Sequence, residues 1–513
     1  MKRVGIDVGG TNTDAVLIDG EIVIATTKTF TTADITSGVK TALAKVIANA
    51  GDAAEGVEAV MIGTTHYTNA VVERRNLGRA AAVRVSLPAS ASLIPFCDWP
   101  ADLAEEVNGG TYLVHGGHEY DGRALVPMDE QEVAEAARAI RRDGVNAVAI
   151  SATFSPLTSE CETRAAEIVR NEHPDAHVTL SSSLGRIGLL ERENVALMNA
   201  ALIGLASEIT HAFSDAVSGS GLDAALFITQ NDGTVARAEL ARDFPVFSFA
   251  SGPTNSMRGA ALLTGRKDAM VCDVGGTTAD VGCLINGFPR EANNVVEVGG
   301  VRTLFRMPDL LSIAIGGGTI VTDSAETIGP ESVGYRLGHE AIVFGGTTLT
   351  CTDIAVAAGL LDVGDKSLVK TLDKPLVSKA LATIHARLAE AVDRMKTDAS
   401  SVPLLAVGGG AMLIPETMPG ISEVVHVEHE AVANAVGAAI AQVSGETDRI
   451  YRGISREEAI LKAKESAIEN AIDAGADKDT IQIIEVEDLP LSYLPGQAIR
   501  ARVRVVGEAV SAS

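Results

Sequence analysis

The sequence predicts an α/β fold built on a duplicated unit, and three observations carry that prediction. Residues 7–14 read DVGGTNTD and residues 273–280 read DVGGTTAD, identical at six of eight positions. Short apolar runs of strand character flank each copy, at 4–6 and 15–18 in the first and at 269–272 and 281–285 in the second. Each second run ends in a dipeptide suited to a tight hairpin, Asp19-Gly20 or Asn286-Gly287. The unit is therefore strand, Gly-rich turn, strand, hairpin, strand. Two copies so far apart indicate a repeated domain rather than a solenoid.

The remaining elements follow in order. Asp34 is suited to cap a helix running to about residue 50, because its carboxylate can accept an orphan N–H of the first turn. Strands are expected at 57–62 and 80–85. From 87 to 142 the pattern is irregular, with Gly109-Gly110 and Gly116-Gly117, and a helix starts at Asp129. A buried strand at 146–151, a helix at 159–171 and a strand at 177–181 come next. A long apolar helix from Glu191 to about 217 closes the first half. A second unit opens near Asp223 with a strand at 224–229, and the tail holds a charged helix at 457–472 and strands near 480–486 and 498–506. The expected domains are 1–222, with an inserted region at about 87–145, then 223–445, then a small α+β appendage at 446–513.

Composition bounds the function. Of 513 residues, 46% are hydrophobic and 21% charged, which excludes a disordered chain. Lys plus Arg number 42 against 67 Asp plus Glu, a net charge of −25, so binding a nucleic-acid backbone is disfavoured as the main task. No run approaches the roughly 18 apolar residues of a membrane span. Asp7 interrupts the N-terminus too early for a secretory signal, and a cytoplasmic protein is expected. The five cysteines form no Cys-x-x-Cys pair, which argues against a zinc knuckle or a redox motif.

The Gly-rich turns carry the chemistry. Two adjacent glycines permit a sharp turn and close approach of a ligand to the backbone. Successive N–H groups in such a turn form a nest for phosphate oxygens. Thr11 and Thr277 add hydroxyl donors, and an Asp at a strand end can hold Mg²⁺ through water. A pair of ordinary hairpin turns is the alternative reading. Two further clusters, Gly316-Gly317-Gly318 after the run 310–314 and Gly408-Gly409-Gly410 after the strand 402–406, suit a nucleotide lying against backbone, or plain strand-end turns.

These residues carry a resemblance. Two Asp-x-Gly-Gly-Thr turns in duplicated halves, with a late Gly-Gly-Gly-Ala after a strand, resemble the actin-like ATPase superfamily. The closer resemblance is to the hydantoinase A/5-oxoprolinase family, over about residues 3–445. It rests on DVGGTNTDAVL (7–17), GTTHYTNAVVER (63–74), FSPLTSE (154–160), ERENVALMNA (191–200), QNDG (230–233), SGPTNSMRGAA (251–261), DVGGTTADV (273–281), SIAIGGGT (312–319), IGPESVG (328–334) and TDIAVAAGL (352–360). It implies duplicated actin-like (ribonuclease H-like) domains around a nucleotide cleft. It also implies ATP-dependent hydrolysis of a cyclic amide (a hydantoin, 5-oxoproline or lactam) or carboxylation of a ketone, with ATP and Mg²⁺ as cofactors. A second, hydantoinase B-type subunit is a further implied partner.

By the same resemblance, Asp7, Gly9, Gly10, Thr11, Thr13 and Asp14 form the first phosphate loop. Asp273, Gly275, Gly276, Thr277, Thr278 and Asp280 form the second. Asp7 and Asp273 are the candidate catalytic and Mg²⁺-holding carboxylates. Gly408, Gly409 and Gly410 resemble the adenosine segment, and Gly316, Gly317 and Gly318 a further nucleotide-side turn. His66 sits where a strand feeds a helix, as an acid/base near a carbonyl or as a structural histidine; the family pattern does not call for it. Arg74 and Arg75 suit a substrate carboxylate or a solvated helix end. Asp353 reads as an N-cap. The pairs His115/His118 and His426/His429 have a spacing unsuited to zinc in their local contexts. A kinase that stops at phosphoryl transfer and an ATP-gated binding module are the competing functions.

Overall fold

The computed structural model describes residues 1–10, 12–31, 35–185, 188–292, 295–322, 325–491 and 498–511. Asp34, the expected cap, lies outside them. Both copies of the repeat fold as expected. Strands β1 (Lys2–Val8), β2 (Asn12–Asp19) and β3 (Ile22–Phe30) form an antiparallel meander, and helix α1 (Ile35–Ala50) covers it. Strand β4 (Val57–Thr64) lies parallel to β1 and feeds helix α2 (His66–Glu73).

The next segment forms a separate sheet. Strands β5 (Ala80–Leu87), β6 (Asn108–His115), β7 (Ala147–Ala152) and β8 (His177–Leu180) pair in parallel in the order β6-β5-β7-β8. Helix α3 (Ala101–Val107) precedes β6, and α4 (Glu130–Arg142) and α5 (Glu160–Glu172) supply the crossovers. Asp129 caps α4 as expected, its carboxylate accepting the N–H groups of Gln131 and Glu132. The expected insertion at about 87–145 is too short. All four strands belong to one parallel sheet, so the inserted body runs from about residue 80 to 180.

Helix α6 (Leu189–Ser218) is the central pillar. It is long and apolar enough by composition to cross a membrane, and 61% of its most apolar window is buried inside the protein. The ERENV run at its start holds the inserted sheet in place. Buried Arg84 of β5 makes a two-pronged bond to Glu193, at 2.7 and 2.5 Å. Ser151 of β7 donates to Glu193 at 2.6 Å, and Asn194 accepts from the Trp99 indole at 2.8 Å. Arg192 donates to Ser181 and to the carbonyl of Ala152. Such groups are buried because each has a partner.

The expected boundary at 223 and the expected C-terminal appendage are both overturned. Strands β9 (Ala225–Thr229) and β10 (Val235–Arg237) join the first sheet, β9 parallel to β4, and the short helix α7 (Ala238–Asp243) follows. Helix α8 (Ser251–Thr264) then leads to the second copy: β11 (Ala269–Val274), β12 (Ala279–Ile285) and β13 (Phe288–Pro289). Two ribbons follow, β14 (Val296–Val298) with β15 (Val301–Thr303), and β17 (Thr319–Val321) with β18 (Ile328–Ser332). Between them β16 (Leu310–Ile313) pairs with β12. After helices α9 (Leu337–Glu340), α10 (Cys351–Ala357) and α11 (Lys374–Met395), strands β19 (Val402–Val407) and β20 (Ile421–Val425) extend the second sheet in parallel beside β11.

The chain then returns. Helix α12 (Ala433–Ala439) packs on α8 and β1. Strands β21 (Val443–Tyr451), β22 (Gln482–Pro490) and β23 (Ile499–Gly507) complete a nine-stranded sheet in the order β22-β23-β21-β10-β9-β4-β1-β2-β3. The last segment thus supplies the three strands at one end of the first sheet. Helix α13 (Arg456–Asp473) lies on it through Ala459, Ala463, Ala467 and Ala471, all fully buried; this i, i+4 row of methyls allows a close approach. A buried charge network fixes this return. Arg306 pairs with Asp232 at 3.0 Å and Glu446 at 2.7 Å, and Arg504 of β23 pairs with Asp232 at 3.1 Å. The two arginines hold the Asp232 carboxyl down at about 2 in spite of its burial.

Candidate functional site

The repeat in the sequence is a repeat in hydrogen bonding. In the first loop Gly9 N–H donates to the carbonyl of Asn12 at 3.0 Å, and in the second Gly275 N–H donates to that of Thr278 at 2.9 Å. Asp7 stands opposite Asp14 across β1 and β2, and Asp273 stands opposite Asp280 across β11 and β12. Strand alternation therefore places each pair on one face. Asp7 and Asp14 are buried, and Asp273 and Asp280 are half-buried. Thr11 lies outside the described residues. Gly10 and Thr277 are exposed at the loop tips, and Gly276 and Thr278 are half-buried. Thr13 is fully buried, with its hydroxyl 3.3 Å from that of Thr31, so its role is to brace the hairpin.

Helix α8 brings the two loops together. Its Asn255 amide nitrogen and Asp7 Oδ1 both approach Gly63, so close that a Cβ there would lie 2.6 and 2.7 Å from them. At the very next residue, Ser256 acts on Asp273 and favours its ionised form. Helix α12 supplies Asn434, whose amide donates to Asp7 Oδ2 at 2.8 Å while its oxygen accepts Ala435 N–H at 2.9 Å. From β3, Lys28 donates to both oxygens of Asp14 at 2.8 Å and to the Ala431 carbonyl at 2.9 Å.

The electrostatics follow from that crowding. Burial, with repulsion from Asp14 and Asp273, pushes the Asp7 carboxyl up to about 7 against the pull of Asn434 and Lys28. Burial raises Asp14 despite its lysine, and raises Asp273 despite Ser256. Asp280 is pushed up to about 6 by burial, while the Ser312 hydroxyl that donates to it pulls the other way. Asp7 Oδ1 is buried without a hydrogen-bond partner. Buried carboxylates with raised pKa and an orphan oxygen fit a site that receives a cation. Among the described residues no three His, Cys, Asp or Glu side chains converge to hold an ion directly. Asp7 and Asp273 are the carboxylates that could hold Mg²⁺, an ion that keeps several waters and takes one or two carboxylates beside substrate phosphates.

The two late glycine clusters differ. Gly408 has φ +91°, and a Cβ there would sit 2.2 Å from Asp273 Oδ1, so only glycine lets this turn lie against the carboxylate. Gly410 N–H donates to the Val274 carbonyl at 2.7 Å, and Gly409 is exposed. The cluster at 316–318 does not offer a nest. Gly316 N–H goes to Thr319 Oγ1, Gly317 N–H to the Gly275 carbonyl and Gly318 N–H to the Gly276 carbonyl. All three donors are used inside the protein, so this turn buttresses the second Gly-rich loop.

His66 opens α2 with its Nδ1 against Thr64 Oγ1, and burial pushes its imidazole down to about 4. It is neutral at pH 7. Arg74 is committed to Asp102 and to the carbonyls of Val71, Val72 and Gly299, so it is not available to a substrate. Arg75 is exposed. Asp353 is not the N-cap. Thr350 is, and Asp353 is the third residue of a reciprocal capping box. His115 is held by Glu132 and His426 by Glu430.

Sequence reasoning missed Lys28, Asn434, Asn255 and Ser256. For the last two a signal existed, since both lie in SGPTNSMRGAA. For Lys28 and Asn434 no local signal existed.

Comparison with known proteins gives the family. Residues 3–173 match the hydantoinase/oxoprolinase N-terminal region, and residues 192–376 match the hydantoinase/oxoprolinase family model. The chain is 27% identical over 403 residues to the acetophenone carboxylase gamma subunit of Aromatoleum aromaticum, covering 71% of this chain and 54% of that one. It is 24% identical over 395 residues to the caprolactamase subunit alpha of Pseudomonas jessenii, covering 71% and 55%. The chain thus spans little more than half the length of these relatives. The crystal structure of ATP-dependent caprolactamase from Pseudomonas jessenii shares the fold, with a TM-score of 0.79 over 98% of this chain and 87% of that one, at 19% identity. The matches take in both Asp-x-Gly-Gly-Thr hairpins, and the chain belongs to the hydantoinase/oxoprolinase family.

Proposed function

We propose that this chain opens a cyclic amide of the hydantoin, 5-oxoproline or lactam type at the expense of ATP, alone or with a second subunit. The observation that carries the reading is the pair of matched aspartate hairpins, Asp7/Asp14 and Asp273/Asp280, joined through α8. An amide carbonyl is a poor electrophile. Transfer of the γ-phosphoryl group to its oxygen breaks the β–γ bridge and releases ADP. One water then adds to the carbon, the C–N bond breaks to leave an acyl phosphate, and a second water releases phosphate and the ring-opened acid.

The residues serve that sequence by position and charge. The loop tips at Gly10 and Gly276 hold phosphates, while the N–H groups of Gly9 and Gly275 close the two turns. Asp7 and Asp273 would hold Mg²⁺, which when bound offsets phosphate charge. Asp7, whose Oδ1 has no hydrogen-bond partner, would also orient the attacking water. Gly408–Gly410 receive the nucleoside side. Neutral His66, fixed by Thr64, orients α2 rather than serving as an acid. A cytoplasmic location, where ATP is available, belongs to this reading.

The test is phosphate release from Mg-ATP by the purified chain, with a panel of hydantoins, 5-oxoproline and small lactams, and mass spectrometry for ring-opened product. Stimulation by one ring with matching product supports the reading. A phosphorylated ring that accumulates unopened would replace it with the kinase reading. Acetophenone with bicarbonate belongs in the panel because of the 27% identity to the acetophenone carboxylase subunit. Turnover only with those two would make the chain a carboxylase subunit.

A further inference from the structure

Lys28 is not part of either phosphate loop, yet it stands where the two units meet. It arises from β3 of the first unit, and its ammonium reaches the Ala431 carbonyl just before α12. A Cβ on exposed Gly409 would lie 3.9 Å from its Nζ. Three donors go to three acceptors: two to Asp14, one to Ala431. Its side chain is 34% exposed whereas that of Asp14 is 4% exposed, so the cation has an open flank and its partner does not. It acts electrostatically on Asp7, Asp14 and Asp273 together.

Its position depends on a bulge. The β2–β3 hairpin shifts register between Leu17 and Ile18, and the shift sets Lys28 opposite Asp14. Without it the pairing from Asp19 and Ile22 would bring Thr27 there and turn Lys28 to the other face. A triphosphate entering between four carboxylates meets strong repulsion, and Lys28 is a side-chain cation that acts on three of them.

We propose that Lys28 is a nucleotide-binding residue that contacts the terminal phosphate of ATP, exchanging one of its two Asp14 bonds for a phosphate oxygen. The inference rests on the ATP reading above. Only one donor moves, so Asp14 stays paired throughout. A contact to the terminal phosphate favours ATP over ADP, and a purely structural lysine does not.

Calorimetric titration of the 513-residue chain with Mg-ATP and with Mg-ADP tests this, beside its melting temperature. In Lys28→Met the affinity for Mg-ATP is expected to fall at least tenfold more than that for Mg-ADP. Lys28→Arg, which keeps the charge, is expected to recover part of the preference. Should Lys28→Met fail to fold, Lys28→Gln keeps a donor for Asp14 and Ala431 without the charge and serves the same comparison. An unchanged ATP-to-ADP preference in the folded variant overturns the lysine assignment alone. No binding of either nucleotide to the unaltered chain overturns it together with the ATP reading. Nucleotide binding without amide-stimulated turnover overturns only the substrate reading.

Discussion

Gly437→Ala is expected to harm this protein, although it lies in the middle of helix α12. Intrinsic propensity favours Ala over Gly in a helix interior by about 1 kcal/mol, which on its own predicts a more stable variant. The packing predicts the reverse. A Cβ at Gly437 would sit 1.8 Å from the Asn255 carbonyl oxygen and 2.6 Å from its carbon, both backbone atoms of α8. Ordinary contact begins near 3.4 Å, so the helices must part by about 1.5 Å at this point. Overpacking of this kind costs about 1–3 kcal/mol, enough to outweigh the propensity gain. The same shift carries Asn434, three residues earlier on α12, away from Asp7. Their 2.8 Å bond would stretch to about 4 Å, which is no longer a hydrogen bond. A hydrogen bond to a charged group is worth about 1.5–3 kcal/mol, so turnover is expected to fall by about 10- to 150-fold. Thermal unfolding and steady-state phosphate release of the purified variant read the two effects separately. A Gly437→Ala protein that melts with the unaltered chain and turns over at the same rate would refute the helix-contact argument.

Four further outcomes are expected. Asp273→Ala abolishes ATPase activity with the fold intact by circular dichroism; a fully active variant would remove Asp273 from the site. For Asp7 the folded pKa of about 7 lies above the unfolded value of about 3.9, so the folded chain holds the extra proton between them and loses stability as pH rises from about 4 to 7. Asp7→Asn should therefore be more stable than the unaltered chain at pH 8, by up to about 4 kcal/mol, with the gain fading toward pH 4, as thermal melts across that range would reveal. Arg84→Met strands buried Glu193 and should cost about 3–5 kcal/mol, whereas Arg84→Met with Glu193→Met should cost less; equal melting temperatures for single and double variants would contradict this. A chain ending at residue 445 should not fold, because Arg306 loses Glu446 and Asp232 loses Arg504; a cooperative melt of that fragment would show that the return strands are dispensable.

The sequence by itself determined the two loops and their hairpins. Those are local structures: hairpin dipeptides, glycines needed for sharp turns and strand alternation act within about twenty residues, so Asp7/Asp14 and Asp273/Asp280 could be paired from the chain alone. It also disclosed the ERENV and SGPTNSMRGAA segments, but not what they do. The tertiary structure decided where β9, β10 and β21–β23 belong. They enter the first sheet through pairings such as Ala59 with Ala225 and Val235 with Val443, which no local pattern encodes. The third glycine cluster had the composition of a phosphate nest, and only the fold shows that its N–H groups are used against the second loop. Lys28 and Asn434 reach the carboxylates because a one-residue bulge turns a strand face and because two glycine-bearing helices touch backbone to backbone. Register and close approach depend on which distant surfaces meet, and that is decided by three-dimensional packing.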